Sequence, residues 1–329
     1  MDSRREFKTR NIESIQMLHT SSEIKMMTFN VLAEQLGTPK SFPFVSQENL
    51  SWEIRSERIL KYIKEVDADI VCLQEVDHPE EFFAALKDVY ADYKFHKKGG
   101  WHRDGTMMLW KSRFEVTGFT IKKFTQIYDH KKFGAQFFIV CDFEDTQNNN
   151  HEFSVLSTHL KAKDFVDVRA WQAKYLSEWI KANKDDTTLF MLGDFNGDRD
   201  EKGIETIRNT GFENVFDFVE NMGQNEKESL WTTMKYHADK VRKLRYIDYM
   251  WYDPKKAVVK SVYMPPCLNT IDLDVGLPDA ENPSDHIPLV AEFAFRGDSL
   301  NDVPTLTKST EKNVIILKRP WDTPDTKAC

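Results

Sequence analysis

From Lys25 onward the chain alternates short apolar runs with amphipathic stretches, and this rhythm restricts it to α/β architectures. Residues 25–32 and 69–74 read as strands. Between them Ser51 is placed to cap a helix over residues 52–66, with Trp52, Ile59, Ile63 and Val66 in one apolar stripe, and Pro79 opens another helix. The middle of the chain reads as strands alone, at 106–110, 115–121, 135–143 and 152–160, with a polar hairpin turn at 145–150. A helix is predicted over 167–182, with Val168, Trp171, Tyr175 and Trp179 on its apolar side. A strand into Gly193-Asp194, a helix near 201–209 and strands at 246–252, 258–264 and 287–295 complete the pattern. A strand-only stretch inside an alternating chain predicts more than one sheet.

Composition narrows the class. Aromatic residues make up 12% of 329 residues, ample for a large core, and no composition shift marks a linker before Phe295. One domain over 24–296 is expected, with a leader at 1–23 and a tail at 297–329 held by residues 315–317 and Trp321. No apolar run approaches the roughly 20 residues that span a bilayer, so no membrane partner is expected. The N-terminal segment lacks the apolar stretch of a secretory signal. Its arginines suit a mitochondrial presequence weakly, because Asp2, Glu6 and Glu13 oppose that reading; a cytoplasmic protein is expected. Four scattered cysteines without a CxxC pair argue against a disulfide or zinc framework and point to a reducing compartment. A net charge of −8 disfavours a protein that grips long nucleic acid by counterion release, and DNA is not expected as a partner.

Several apolar runs end on groups that packing does not require. The run TTLFMLGDFN (187–196) projects Asp194 and Asn196 from one face while Phe195 turns the other way. Two hard oxygen donors at a strand mouth suit a divalent cation, or a water held against a phosphate. Asn30 ends the first strand, Glu75 the second, His159 a third, and Asp285-His286 precede the last. Asp248 lies inside the aromatic run 246–252, where a buried acid needs a partner such as a histidine. Taken singly, Asn30 is a turn residue, Glu75 a cap, His159 a core histidine and Asp285 an N-cap. Their coincidence at strand ends is what points to an active site.

The pieces NVLA (30–33), LQEVD (73–77), THLKAK (158–163), GDFN (193–196), IDYMWY (247–252) and SDH (284–286) occur in that order. Together they resemble the endonuclease/exonuclease/phosphatase superfamily over about residues 25–295. NVLAEQLG (30–37), Trp52-Glu53 with Arg55, LQEVDH (73–78) and THLKA (158–162) are most similar to its nocturnin-like branch. The resemblance implies a four-layer α/β/β/α sandwich of two mostly antiparallel sheets and a phosphoester hydrolase dependent on Mg2+, with Mn2+ as an alternative. It implies that Asn30, Glu75 and Asp285 hold the metal. Asp194 and Asn196 position the attacking water, or a second metal, and the phosphate. His286, oriented by Asp248, becomes the base or phosphate contact, and His159 steadies charge on the phosphate.

For the substrate, nocturnin-like proteins imply removal of the 2′-phosphate of NADP(H). The related deadenylases imply 3′–5′ exonucleolysis of poly(A) RNA in mRNA turnover. Lys161, Lys163 and Lys97 or Lys98 are candidate phosphate clamps, with solvated surface lysines as the plain alternative. The acidic chain favours the dinucleotide. A catalytically inactive scaffold is the remaining alternative, disfavoured because no motif acid, amide or histidine is missing; no oligomer is implied.

Overall fold

Strand β1 (Glu23–Asn30) enters the centre of the molecule and fixes the frame on which everything else is laid. The computed structural model describes residues 23–124, 135–184, 186–217, 230–236, 241–263, 265–266, 268–296 and 315–317. Of the expected leader and tail, all but Glu23 and Ile315–Leu317 lies outside the described residues, Trp321 included.

The remaining strands are β2 (Ile70–Val76), β3 (Asp92–Lys97), β4 (Gly105–Trp110), β5 (Phe114–Lys123), β6 (Phe137–Asp145), β7 (His151–His159) and β8 (Thr188–Asp194). They continue as β9 (Glu213–Asn214), β10 (Thr233–Tyr236), β11 (Arg242–Arg245), β12 (Asp248–Tyr252), β13 (Ala257–Tyr263), β14 (Leu289–Phe295) and β15 (Ile315–Leu317). One sheet has the order β15-β13-β14-β1-β2-β4-β3, the other β5-β6-β7-β8-β12-β9, and β10 and β11 form a separate hairpin. Only β1–β2, β7–β8 and β13–β15 pair in parallel among the described strands. The two mostly antiparallel sheets of the sequence expectation are therefore present, the first with two parallel pairs and the second with one.

Alternation explains the layers. Ile24, Met26, Ile70, Cys72 and Met108 point inward, into a core shared with the second sheet. Their neighbours Met27, Phe29, Val71, Leu73, Met107 and Leu109 point outward, under the helices Trp52–Val66 and Pro79–Leu86, against Ile59, Ile63, Phe82 and Leu86. Strands buried on both faces read as unbroken apolar runs. Each aliphatic side chain buried this way stabilises the fold by about 1.5–3 kcal/mol. Ser51 does sit at the N-cap of Trp52–Val66, but its side chain makes no cap hydrogen bond.

The helix Val166–Asn183 corrects one expectation. Its buried face is Arg169, Gln172, Ala173, Leu176 and Ile180, whereas Trp171, Tyr175 and Trp179 lie half-buried along its flank. The small Ala173 lets the helix lie close to the sheet, while the broad rings reach round it: Trp179 meets Phe138 edge-on at 5.0 Å and Tyr175 meets Phe124 at 5.7 Å. Arg169 is tolerated inside because it forks onto Glu201 and donates to the carbonyls of Lys161 and Lys163.

Both central parallel pairs end at the same mouth. Asn30 stands opposite Gln74 at the end of β1–β2, and His159 opposite Asp194 at the end of β7–β8. Antiparallel β12 begins there, with Asp248 opposite Asp194. Asp248 thus opens its strand rather than lying inside it, because residues 246 and 247 precede the ladder.

Candidate active site

Backbone irregularities aim the polar groups. Glu75 has a φ of 60° at a break in the β2–β4 register between Gln74 and Val76, a bulge that rotates its side chain out of the strand alternation. At the end of β8, Gly193 has a φ of 146°, and a Cβ there would stand 2.1 Å from the carbonyl oxygen of Thr158. Only glycine lets β8 close on β7 at that point. Asn196, at φ 53°, donates its backbone amide to Asp194 Oδ1 (2.8 Å) and its side-chain amide to the Leu160 carbonyl (3.1 Å).

Asp194 is the hub. Its Oδ2 accepts a 3.0 Å hydrogen bond from Asn30 Nδ2, and lies 3.5 Å from His159 Nε2 and 3.9 Å from His286 Nε2. Asn30 Oδ1 accepts from the Leu32 amide, so this side chain is committed on both sides. Glu75 Oε2 accepts from the Ala33 amide (3.3 Å), and Oε1 stands 4.0 Å from His159 Nε2. His286 Nδ1 meets Asp248 Oδ2 at 2.9 Å, the pairing expected from sequence. Its backbone amide rests on Ser284 Oγ, which itself donates to the Asn30 carbonyl at 2.7 Å. The Asp285 carbonyl accepts from Thr233 Oγ1 and the Met234 amide, while its carboxylate faces Lys235 Nζ at 4.0 Å.

The lysines divide. Lys98 is buried, bridging Asp104 Oδ2 (2.7 Å) and His159 Nδ1 (3.0 Å). Lys97, the last residue of β3, is exposed. Lys161 is half-buried with its ammonium over the Phe165 ring at 4.9 Å, and Lys163 is exposed beside it. Asp104 and Arg55 were not foreseen as site residues. Asp104 stands immediately before Gly105, where an acid looks like a turn residue. Arg55 sits wholly buried on a helix whose spacing marks it only as an interruption of the apolar stripe, and its Nη1 donates to the carbonyls of Val31 (3.0 Å), Leu32 (2.9 Å) and Pro283 (3.3 Å).

The charges are strongly perturbed. Burial pushes the Glu75 carboxyl up, with Lys98 opposing and Asp285 and Asp104 adding to the rise. Burial, then Asp248, raises Asp194 to about 7. Burial, Lys98 and His286 hold His159 well below the ordinary imidazole value, so it is neutral. Burial would also lower His286, but Asp248, with Asp194 and Asp285 behind it, overrides this and raises it to about 10.

Carboxylates with too few cations around them fit a bound divalent ion. Glu75 and Asp194 both bind protons more tightly than free carboxyls do, and Asp248 Oδ1 is buried without a hydrogen-bond partner among the described residues. Such oxygen-rich donors suit a hard cation. Among the described residues the ligand atoms of Asp194, Asp248 and His286 form a tight group, all within 4.8 Å of one another. Asn30, Glu75 and Asp285, the expected metal holders, ring the same mouth less closely.

The sequence profile of the Endonuclease/Exonuclease/phosphatase family matches residues 27–286. The CCR4-Not complex 3′-5′-exoribonuclease subunit Ccr4 of Kluyveromyces lactis is 25% identical over 83% of this chain and 41% of its own length. Nocturnin of Drosophila melanogaster is 25% identical over 82% of this chain and 46% of its own. The chain thus spans less than half the length of these two relatives. A crystal structure of ANGEL2, a 2′,3′-cyclic phosphatase, in complex with adenosine-2′,3′-vanadate, superposes with a TM-score of 0.68 at 20% identity, covering 83% of this chain and 96% of that one.

Proposed function

The chain belongs to the Endonuclease/Exonuclease/phosphatase family, and from that premise we propose that it is a Mg2+-dependent phosphatase that removes the 2′-phosphate of NADP(H). The observation that carries the choice of substrate is the lysine wall beside His159. Lys98 Nζ lies 3.0 Å from His159 Nδ1, Lys161 stands two residues beyond His159 with its ammonium over the Phe165 ring, and exposed Lys163 follows; burial, then the charges of Lys163 and Lys98, lowers the affinity of Lys161 for its proton. A ligand with several phosphates, one cleaved and others merely held, suits that division of charge.

Glu75 and Asp194, with Asn30 and Asp285 beside them, would hold the metal, which would polarise a phosphoryl oxygen and neutralise charge built up in the transition state. Asp194, its carboxylate fixed by Asn30 Nδ2 and the Asn196 amide, is placed to orient the attacking water. Asn196 fixes the wall from which Asp194 projects. His286, paired through Nδ1 with Asp248 and raised by that carboxylate, would meet a phosphate oxygen as a charged donor. His159 is neutral, and its Nε2 faces the space between Glu75 and Asp194 where a phosphoryl group would sit.

A second reading, 3′–5′ exonucleolysis of poly(A), is favoured by one feature. Trp101 is fully exposed on the loop between Lys98 and Asp104, a surface on which a base can stack. The two readings separate in one experiment. Purified protein with Mg2+ is supplied with NADPH and, separately, with oligo(A), and orthophosphate and AMP are quantified. Orthophosphate from NADPH is expected; strong AMP release without orthophosphate replaces the first reading with the second.

A further inference from the structure

Just outside the mouth, a second cluster stands at the end of β2. His78 Nε2 lies 2.8 Å from Glu34 Oε2 and 3.8 Å from Asp77 Oδ1, and the three ligand atoms all fall within 4.8 Å of one another. The Asp77 side chain is only 5% exposed, yet its Oδ1 has no hydrogen-bond partner among the described residues. The His78 ring is stacked on Trp52, with centroids 4.9 Å apart and planes inclined by 21°. On its far side, Nδ1 faces Glu81 Oε1 at 3.4 Å.

We propose that Glu34, Asp77 and His78 form a binding site for a transition-metal ion of the Zn2+ class, separate from the catalytic mouth. One imidazole and two carboxylates form a mixed nitrogen–oxygen set that such ions accept, with water completing the shell. The ring arrangement is the one metal-bound histidines use, with one nitrogen toward the ligands and the other held by a carboxylate. The orphaned Asp77 oxygen supplies a donor that takes no hydrogen bond among the described residues. Binding would displace the proton now shared between His78 and Glu34. The bound ion would also tie the 33–37 turn to the end of β2. Ala33 of that turn caps Glu75, and Gln35 Nε2 reaches Asp104 Oδ1 at 3.4 Å, so the tie would brace both groups.

The test is calorimetric titration of the full chain with Zn2+ in excess Mg2+, repeated on His78→Gln, Glu34→Gln and Glu75→Gln. Circular dichroism and melting in chelator establish that each variant is folded; Glu34→Gln alters an exposed side chain and stands in should His78→Gln not fold. Zinc affinity is expected to fall at least tenfold in His78→Gln and Glu34→Gln and to persist in Glu75→Gln. Zinc should also raise the melting temperature of the parent and not of His78→Gln. Unchanged zinc affinity in both cluster variants, or zinc binding lost only in Glu75→Gln, would overturn the assignment.

Discussion

The ammonium of Lys98 lies 3.0 Å from Nδ1 of His159 and 2.7 Å from Asp104, and an ammonium has hydrogens to give but no lone pair to receive with. Nδ1 must therefore be the accepting nitrogen, and the ring proton of neutral His159 must sit on Nε2. That places an N–H, rather than a lone pair, toward Glu75 and Asp194.

Lys98→Met removes this control of the tautomer. Phosphate release is expected to slow by about 10²-fold, on the scale of losing one pre-placed donor to a developing anion. Steady-state kinetics with matched melting curves measures it; a rate within twofold of the parent would show that Lys98 does not set the donor.

Glu75→Gln keeps the shape and the cap from Ala33 while removing the charge. It is expected to abolish phosphate release at saturating Mg2+ with an unchanged circular dichroism spectrum. Retained activity would remove Glu75 from the metal assignment.

His286 makes folding stability depend on pH. Its pKa rises from about 6.5 in an unfolded chain to about 10 in the folded one. Its contribution is complete below the lower value, erodes as the unfolded state loses the proton, and is gone once pH passes the upper value. In chelator, the stability gap between the parent and His286→Gln should be widest near pH 6 and shrink toward pH 10, as read by urea unfolding. A gap that widens with pH would contradict the pairing with Asp248.

Arg55→Leu strips a buried donor from three carbonyls, those of Val31, Leu32 and Pro283. The expected loss is about 3–5 kcal/mol, the usual cost of leaving buried polar partners unmatched, seen as a lower urea midpoint. Arg55→Lys should recover only part of it, since one ammonium cannot span the fork.

Much of this was legible beforehand, for identifiable reasons. A carboxylate or amide ending an apolar run is visible in one dimension, so Asn30, Glu75 and Asp194 could be named, and Asp285 stood out before the last run. The pairing of Asp248 with His286 followed from the cost of burying an acid alone. What failed depended on the third dimension. Lys97 ends β3 exposed while Lys98, just past it, is buried, and Asp104 enters the site through a pairing of β3 with β4 that the sequence did not announce, β3 itself having gone unrecognised. The aromatic stripe on 166–183 misled because ring size, which governs apolar weight in a sequence, also keeps rings off the closest line of contact.

The hydrogen bond from Asn30 to Asp194 joins residues 164 positions apart, one from each sheet. Ser284 and Arg55 bind the same β1 end to the segment before β14. The mouth is therefore a seam, and the groups on its two lips keep their spacing only while the sheets keep theirs. A core substitution far from the mouth that lets one sheet slide would silence the enzyme while most of the chain still holds its shape. Heat should do the same, with inactivation running ahead of melting.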